Sequence, residues 1–250
     1  GLTSKMTPRP DHGETSYRGS GRLTGRRILV TGGDSGIGRA AVIAFAREGA
    51  DVAINYLPQE QSDADEVVAI IREAGRKAVA FPGDLREEAF CQKLVQDAAD
   101  QLGGLDVLVN NAAIQRYMPD IQEISTKAFD DIFKANVYAM FWLTKAAVPL
   151  MPPGSCIIQT SSIQAYDPSE FLMPYAQTKA CQVSFTISMA KQLLPKGIRV
   201  NAVAPGPYWT PLQPVDGKPL EKLKTFGAES PYKRPGQPVE IAPLYVLLAD

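Results

Sequence analysis

The sequence predicts an α/β fold: one doubly wound parallel sheet with helices on both faces. Two observations carry this. From Arg26 onward, apolar runs of strand length alternate with amphipathic segments of helix length. The strands are continuously apolar rather than alternating, as in parallel sheets covered on both sides. Right-handed crossovers then give the doubly wound form.

The elements follow in order. Arg27–Thr31 (RILVT) is a buried strand, and Ile37–Glu48 a helix stopped by Gly49. Asp51–Tyr56 is a strand, Gln61–Ala74 a helix ending at Gly75, and Lys77–Phe81 a strand. Glu87–Leu102 is a helix stopped by Gly103-Gly104, and Asp106–Asn110 a strand. Thr126–Ala147 reads as one long helix, Cys156–Thr160 as a strand, Tyr175–Leu194 as a helix and Ile198–Ala204 as a strand. A last helix begins at Pro238, with Glu240 in its first turn. Between them, residues 205–238 hold eight prolines and read as a lid, because the segment follows the carboxyl end of a strand. Residues 1–25, rich in Pro, Gly, Ser, Thr and charge, read as an extended surface or disordered arm, leaving 26–250 as one domain.

Composition excludes several functions. The chain has 250 residues and a formal net charge of -1, with 26 Lys+Arg against 27 Asp+Glu. No global positive field is available for nucleic acid. The single histidine, His12, lies in the polar arm and is expected to be solvated. That argues against a Ser-His-Asp triad, a Cys-His dyad and most zinc sites, and no metal is expected. Three scattered cysteines without a CxxC pair suit a reducing compartment. No apolar run is long enough to span a bilayer, and no signal-peptide pattern opens the chain. A cytoplasmic protein with no membrane contact is expected.

The segment Thr31-Gly32-Gly33-Asp34-Ser35-Gly36-Ile37-Gly38 joins the first strand to the first helix. Glycines allow the tight turn and a close backbone approach to a pyrophosphate, which the helix N-terminus attracts. In this strand–loop–helix context the pattern marks a Rossmann-type dinucleotide site. NAD-selective sites usually carry an acid at the end of the second strand. Here Asn55 and Tyr56 stand there, so nothing at that point repels a 2′-phosphate, although no arginine clamp follows either. NADP is the expected cofactor, with NAD the alternative. Asn55, Gln59, Gln61, Ser62 and Arg39 are the available 2′-phosphate donors.

Tyr175 and Lys179 are four residues apart on a helix, so they share a face. A nearby cation lowers a phenol's pKa from about 10. Tyr175 could then exchange a proton with a carbonyl or alcohol oxygen while hydride moves to or from nicotinamide. Ser162 ends the preceding strand, where its hydroxyl could stabilise developing charge on that oxygen. Asn136, within a predicted helix, is a residue type that prefers caps and turns, which hints at a specific hydrogen-bonding task.

Taken together, TGGDSGIG, Asp84 in GDL, Asn110-Asn111-Ala112-Ala113, Asn136, Ser162, YAQTK and Pro205-Gly206 resemble the short-chain dehydrogenase/reductase family over residues 25–250. TGGDSGIGRA, Ser161–Ala165 and PGPYWTPL resemble its glucose-dehydrogenase-like, general-stress branch. The resemblance implies Tyr175 as proton donor or acceptor and Lys179 as the group that lowers its pKa and holds the nicotinamide ribose. It implies that Ser162 orients the carbonyl and that Asn136 holds a water linking Lys179 to solvent. Asp84 and Leu85 would contact the adenine, and Asn111 and Ala112 the adenosine ribose. Gly206, Tyr208 and Thr210 would fix the carboxamide. A homotetramer or homodimer is implied.

Three departures stand out. Ala113 replaces the usual glycine, and Tyr208 a usual aliphatic residue. The chain ends at Asp250, so the expected domain lacks the family's usual C-terminal strand. Gln115, Gln164, Tyr166, Phe171, Trp209 and Phe226 are expected to surround the substrate. Their mixed aromatic and amide character suits a small aldehyde, ketone or sugar.

Overall fold

A computed structural model describes residues 1–250. Six parallel strands form one sheet in the order β3-β2-β1-β4-β5-β6. They are β1 (Arg27–Thr31), β2 (Asp51–Tyr56), β3 (Ala78–Pro82), β4 (Val107–Asn110), β5 (Cys156–Thr160) and β6 (Arg199–Val203). The direction of winding reverses between β1 and β4, and ligands of open α/β sheets bind beyond the strand ends at such a point.

Strand alternation decides which layer each side chain joins. Ile28, Val30, Val52, Ile54, Val107 and Val109 pack on one face against α1 (Gly36–Arg47), α2 (Gln61–Glu73) and α9 (Pro238–Ala249). Leu29, Ala53, Leu108, Ile157 and Val200 face the other layer. That layer contains α3 (Glu88–Leu102), α5 (Ala139–Ala147) and the end of α6 (Met173–Leu193). α3 ends where Gly103 turns into the left-handed region (φ 81°), as the glycine pair predicts. α9 opens on a reciprocal cap between Gln237 and Glu240. In the lid region, α7 (Leu212–Val215) and α8 (Leu220–Lys224) are single turns or little more.

One predicted helix differs. Thr126–Ala147 is divided into α4 (Thr126–Phe133), a π turn over Lys134–Tyr138, and α5. Asn136 sits inside that turn, and its side chain is committed to neighbouring segments rather than to solvent. Its Oδ1 accepts from the Ile114 N–H (2.7 Å), and its Nδ2 donates to the Ile114 carbonyl (2.9 Å) and Thr178 Oγ1 (3.0 Å). Such π turns are rare and occur frequently at functional sites.

The arm corrects a second expectation. His12 is fully buried, not solvated, with its Nδ1 3.1 Å from Glu14 Oε1. The burial follows from how the arm is tied down. Arg47 on α1 donates to the carbonyls of Gly13, Glu14 and Tyr17, and Tyr17 donates to Glu48. Val239 on α9 donates to the Asp11 carbonyl (3.0 Å). Replacing Arg47 with methionine is expected to leave three carbonyls without their cation. At roughly 1–3 kcal/mol for a lost charged or buried hydrogen bond, the melting temperature should fall by several degrees. Limited proteolysis should then cleave first within residues 8–20, and unchanged resistance there would show that the arm is held by other contacts.

Candidate active site

The glycine loop is shaped by contacts that leave no room for side chains. Gly32 and Gly36 adopt positive φ (60° and 54°). A Cβ on Gly38 would lie 2.0 Å from the Gly32 carbonyl oxygen. The loop is pinned from β4: Thr31 Oγ1 accepts from the N–H groups of Asn111 (3.0 Å) and Ala112 (3.1 Å), and Asn111 Nδ2 donates back to the Thr31 carbonyl (3.1 Å). Ser35 caps α1 without a side-chain hydrogen bond. The first-turn N–H groups at Gly36 and Ile37 therefore face the loop as donors for an anion. This cradle fits the diphosphate of a dinucleotide.

Asp34 is buried at the loop (1% exposed), and its Oδ2 has no partner. Burial, reinforced by the neighbouring charge of Glu60, raises its carboxyl to about 7, while its hydrogen bonds to backbone and Ser35 pull the other way. Asp84 differs: the Arg86 guanidinium, 2.6 Å away, holds its carboxyl below the ordinary value. Leu85 beside it is buried.

The expected 2′-phosphate donors are largely committed elsewhere. Arg39 is buried under the arm between Glu14 (3.0 Å) and Glu66 (2.8 Å). Asn55 Nδ2 donates to the carbonyls of Phe81 and Gly83, and Gln61 is shared between Tyr56 and Asp65. Gln59 and Ser62 remain exposed at the start of α2. Sequence alone could not reveal that the arm's Glu14 captures Arg39 from a distance of 25 residues.

Ser162, Tyr175 and Lys179 come together at the carboxyl edge of β5. Ser162 caps the short turn Ile163–Ala165, and its Oγ accepts from the Gln164 N–H (3.2 Å). Tyr175 lies in the first turn of α6, 6% exposed, and Lys179 one turn on, 1% exposed. Lys179 Nζ stands 5.3 Å from the centre of the Tyr175 ring and donates to the Thr160 carbonyl (2.6 Å). The pKa directions differ from the sequence expectation. Burial pushes the Tyr175 phenol up to about 12, with a hydrogen bond to Ser162 acting against it. Burial also pulls the Lys179 ammonium down to about 7. Desolvation is the leading cause for both because both groups are enclosed.

On the other side of the cleft, Ile163 N–H donates to the Pro205 carbonyl (3.0 Å). At Gly206 a Cβ would meet nothing within 4 Å, so the backbone there is open to approach. Tyr208 pairs with Gly236, and Thr210 is buried against Gly36. Ala113 is half-buried at the end of β4.

The lid is clamped rather than loose. Gln115 Nε2 donates to Asp216 Oδ2 (2.6 Å), and Tyr117 N–H to the Asp216 carbonyl (2.7 Å). Tyr117 and Phe171 stack at 5.1 Å, with the Lys222 ammonium 3.4 Å from the Phe171 ring centre. Lys218 lies over Phe226, and Trp209 Nε1 donates to the Pro8 carbonyl (2.7 Å). Tyr166 is largely exposed. A cavity of about 540 Å³ lies between residues 118–124, 164–170 and the first turns of α6. Gln164 lines it, but Ser162, Tyr175 and Lys179 do not, so it adjoins that group without containing it.

Sequence reasoning missed Asp216, Tyr117, Lys222 and Gln182. Only Gln182 carried a local signal: it lies seven residues after Tyr175 and three after Lys179, on the same helical face.

A glycine cradle, a parallel sheet with its reversal beside that cradle, and a buried Ser–Tyr–Lys group at the same edge define a dinucleotide-dependent oxidoreductase. The family model described as enoyl-(acyl carrier protein) reductase matches residues 32–250. The chain belongs to that family of short-chain dehydrogenases/reductases. It is 56% identical to the uncharacterized oxidoreductase YghA of Escherichia coli (strain K12), over all of this chain and 85% of that one. It is 44% identical to the chloroplastic NADPH-dependent aldehyde reductase 1 of Arabidopsis thaliana, over 98% of this chain and 86% of that one. A short-chain dehydrogenase from Burkholderia cenocepacia J2315, solved in complex with NADP, superimposes with a TM-score of 0.84 at 34% identity, covering 91% of each chain.

Proposed function

We propose that the protein transfers hydride between NADP(H) and the carbonyl or alcohol carbon of a small aldehyde, ketone or sugar. The observation that carries this reading is the enclosure of Tyr175, Lys179 and Ser162 together at the sheet edge that also holds the glycine cradle. The aldehyde reductase and the glucose and ribitol dehydrogenases among its relatives point to the same substrate class. The coenzyme, when bound, supplies or accepts the hydride.

The chain's own residues handle the rest. Gly36 and Ile37 bind the diphosphate through backbone N–H groups. Asp84 and Leu85 meet the adenine, Asn111 and Ala112 the ribose, and Gly206, Tyr208 and Thr210 the carboxamide. Ser162 donates to the substrate oxygen, Tyr175 gives or takes its proton, and Lys179 offsets the negative charge left on the phenol. Gln115, Gln164, Phe171 and Trp209 form the substrate surroundings, and the clamped lid excludes water. NADP is favoured over NAD because Asn55 and Tyr56 leave the end of β2 uncharged, and a partly protonated Asp34 reduces repulsion.

We also propose a homotetramer or homodimer. Tyr138, Phe141, Ile187 and Leu194 are large apolar side chains left exposed along the helices that carry Asn136 and Tyr175. No helix is long and apolar enough to cross a membrane. A cytoplasmic setting is proposed from three free cysteines, of which Cys91 and Cys156 are buried.

The deciding experiment follows absorbance with NADPH and NADH against aldehydes, ketones and sugars. Turnover with NADPH and at least one of these is expected. Tight coenzyme binding with no turnover across the panel would instead indicate a nucleotide-sensing or structural protein of the same fold.

A further inference from the structure

Buried Lys179 needs acceptors for its ammonium, and the structure supplies two. One is the Thr160 carbonyl at 2.6 Å; the other is Gln182 Oε1 at 3.1 Å. Gln182 is 2% exposed, and its Nε2 donates to the Asn136 carbonyl at 2.8 Å. One side-chain amide thus spans Lys179 and the π turn, bonded at both ends. Between Lys179 and Asn136, where the family resemblance implies a water, the structure places this side chain. Beside it lies a cavity of about 10 Å³, lined by Thr31, Asn110, Asn136 and Gln182 among others, which is close to the space one water needs. Asn110 Oδ1 is buried there without a partner.

We propose that Gln182 is a positioning residue that holds the Lys179 ammonium in place beside Tyr175, its amide doing the work of a water between Lys179 and Asn136. This deepens the reading of Tyr175 and Lys179 as the proton-handling pair and rests on it. The ionisable side chains around Lys179 are few. Tyr175 lies on its own helix, and from α9 the Tyr245 hydroxyl bonds Thr160 Oγ1 at 2.7 Å. Burial alone shifts the Lys179 ammonium, and no charged side chain adds to it. A neutral acceptor such as Gln182 therefore decides how firmly the proton is held.

The proposal makes an ordering of variants that a packing role would invert. Gln182→Met keeps the volume and removes both hydrogen bonds. Gln182→Ala opens space continuous with the existing cavity, so water can take the vacated acceptor position. For a residue that only fills space, alanine is the worse substitution. For a residue that holds the ammonium, methionine is.

The test is a pH titration of lysines carrying a ¹³Cε label, by NMR, in coenzyme-free protein, with the Lys179 signal assigned from Lys179→Met. Gln182→Met is expected to lower the Lys179 midpoint by about one unit, a tenfold loss of ammonium at a given pH. Gln182→Ala should stay within about a third of a unit of the parent. Gln182→Glu, which sets a carboxylate against the ammonium, should raise the midpoint by about a unit or more. An unchanged midpoint in Gln182→Met, or a fall in Gln182→Ala as large as in Gln182→Met, overturns the proposal. If Gln182→Met does not fold, a midpoint that fails to rise in Gln182→Glu overturns it as well. The titration needs neither coenzyme nor turnover, so it stands apart from the assay with NADPH. A parent protein that neither binds coenzyme nor turns over defeats the redox reading and leaves the Gln182 result readable.

Discussion

Tyr175→Phe is expected to lower kcat/KM by about 10²–10⁴-fold, the usual worth of a positioned proton donor. Coenzyme affinity should change by less than about threefold, because the diphosphate cradle lies on another loop. The fold should survive, since phenylalanine retains the ring that packs at this buried position. Removing the hydroxyl also removes a buried polar group, which costs little when its partner Ser162 retains its bond from the Gln164 N–H. Stopped-flow or steady-state absorbance with the best substrate, together with NADPH titration by fluorescence, separates the two effects. Full turnover in the phenylalanine variant would eliminate Tyr175 as the proton donor. Loss of coenzyme binding in parallel with turnover would assign the residue a structural part instead.

The same phenol shows where sequence reasoning succeeds and where it stops. Strand identity is a local property: Ile28–Val30 and Ile157–Ile158 are apolar on both faces, and the structure buries both faces. The glycine loop is legible for a related reason, since Gly38 lies against the Gly32 carbonyl and no other residue fits. The spacing from Tyr175 to Lys179 fixes their common face, and the structure sets them side by side. Their ionisation was not legible. It depends on how completely the segments packed against α6 enclose them, which no window of sequence reports. Within the arm, the burial of His12 was missed for an opposite reason. The arm's polar composition is that of a disordered segment, but several of its groups have distant partners: Arg47 for three carbonyls, Glu48 for Tyr17, Glu66 for Arg9. Asn136 lies between these cases. Its poor fit to a helix interior flagged a task, and the π turn is how the chain accommodates it.

Asp34→Asn is expected to stabilise the protein above neutral pH and to leave it unchanged near pH 4. The folded carboxyl titrates at about 7 against an ordinary 3.8, chiefly from burial and then from Glu60. Between those two values the folded state holds a proton that the unfolded state has lost. Unfolding stability therefore falls as pH rises through this window, and the whole cost is present above about pH 7. At 1.36 kcal/mol per unit, the upper bound is about 4 kcal/mol. Asparagine has the same shape and no charge to desolvate, so it relieves that cost. Its amide can also meet neighbouring acidic groups that a carboxylate repels, Glu60 and Asp63 among them. Thermal melts at pH 8 should rise by several degrees over the parent, with coincident melts at pH 4. A gain of the same size at both pH values would trace the effect to packing, and a loss at pH 8 would mean that the loop stabilises the carboxylate. The variant also bears on the coenzyme. With the negative charge gone, the ratio of NADPH to NADH affinity should increase at pH 8 and stay unchanged at pH 5, where the parent's own Asp34 is already neutral.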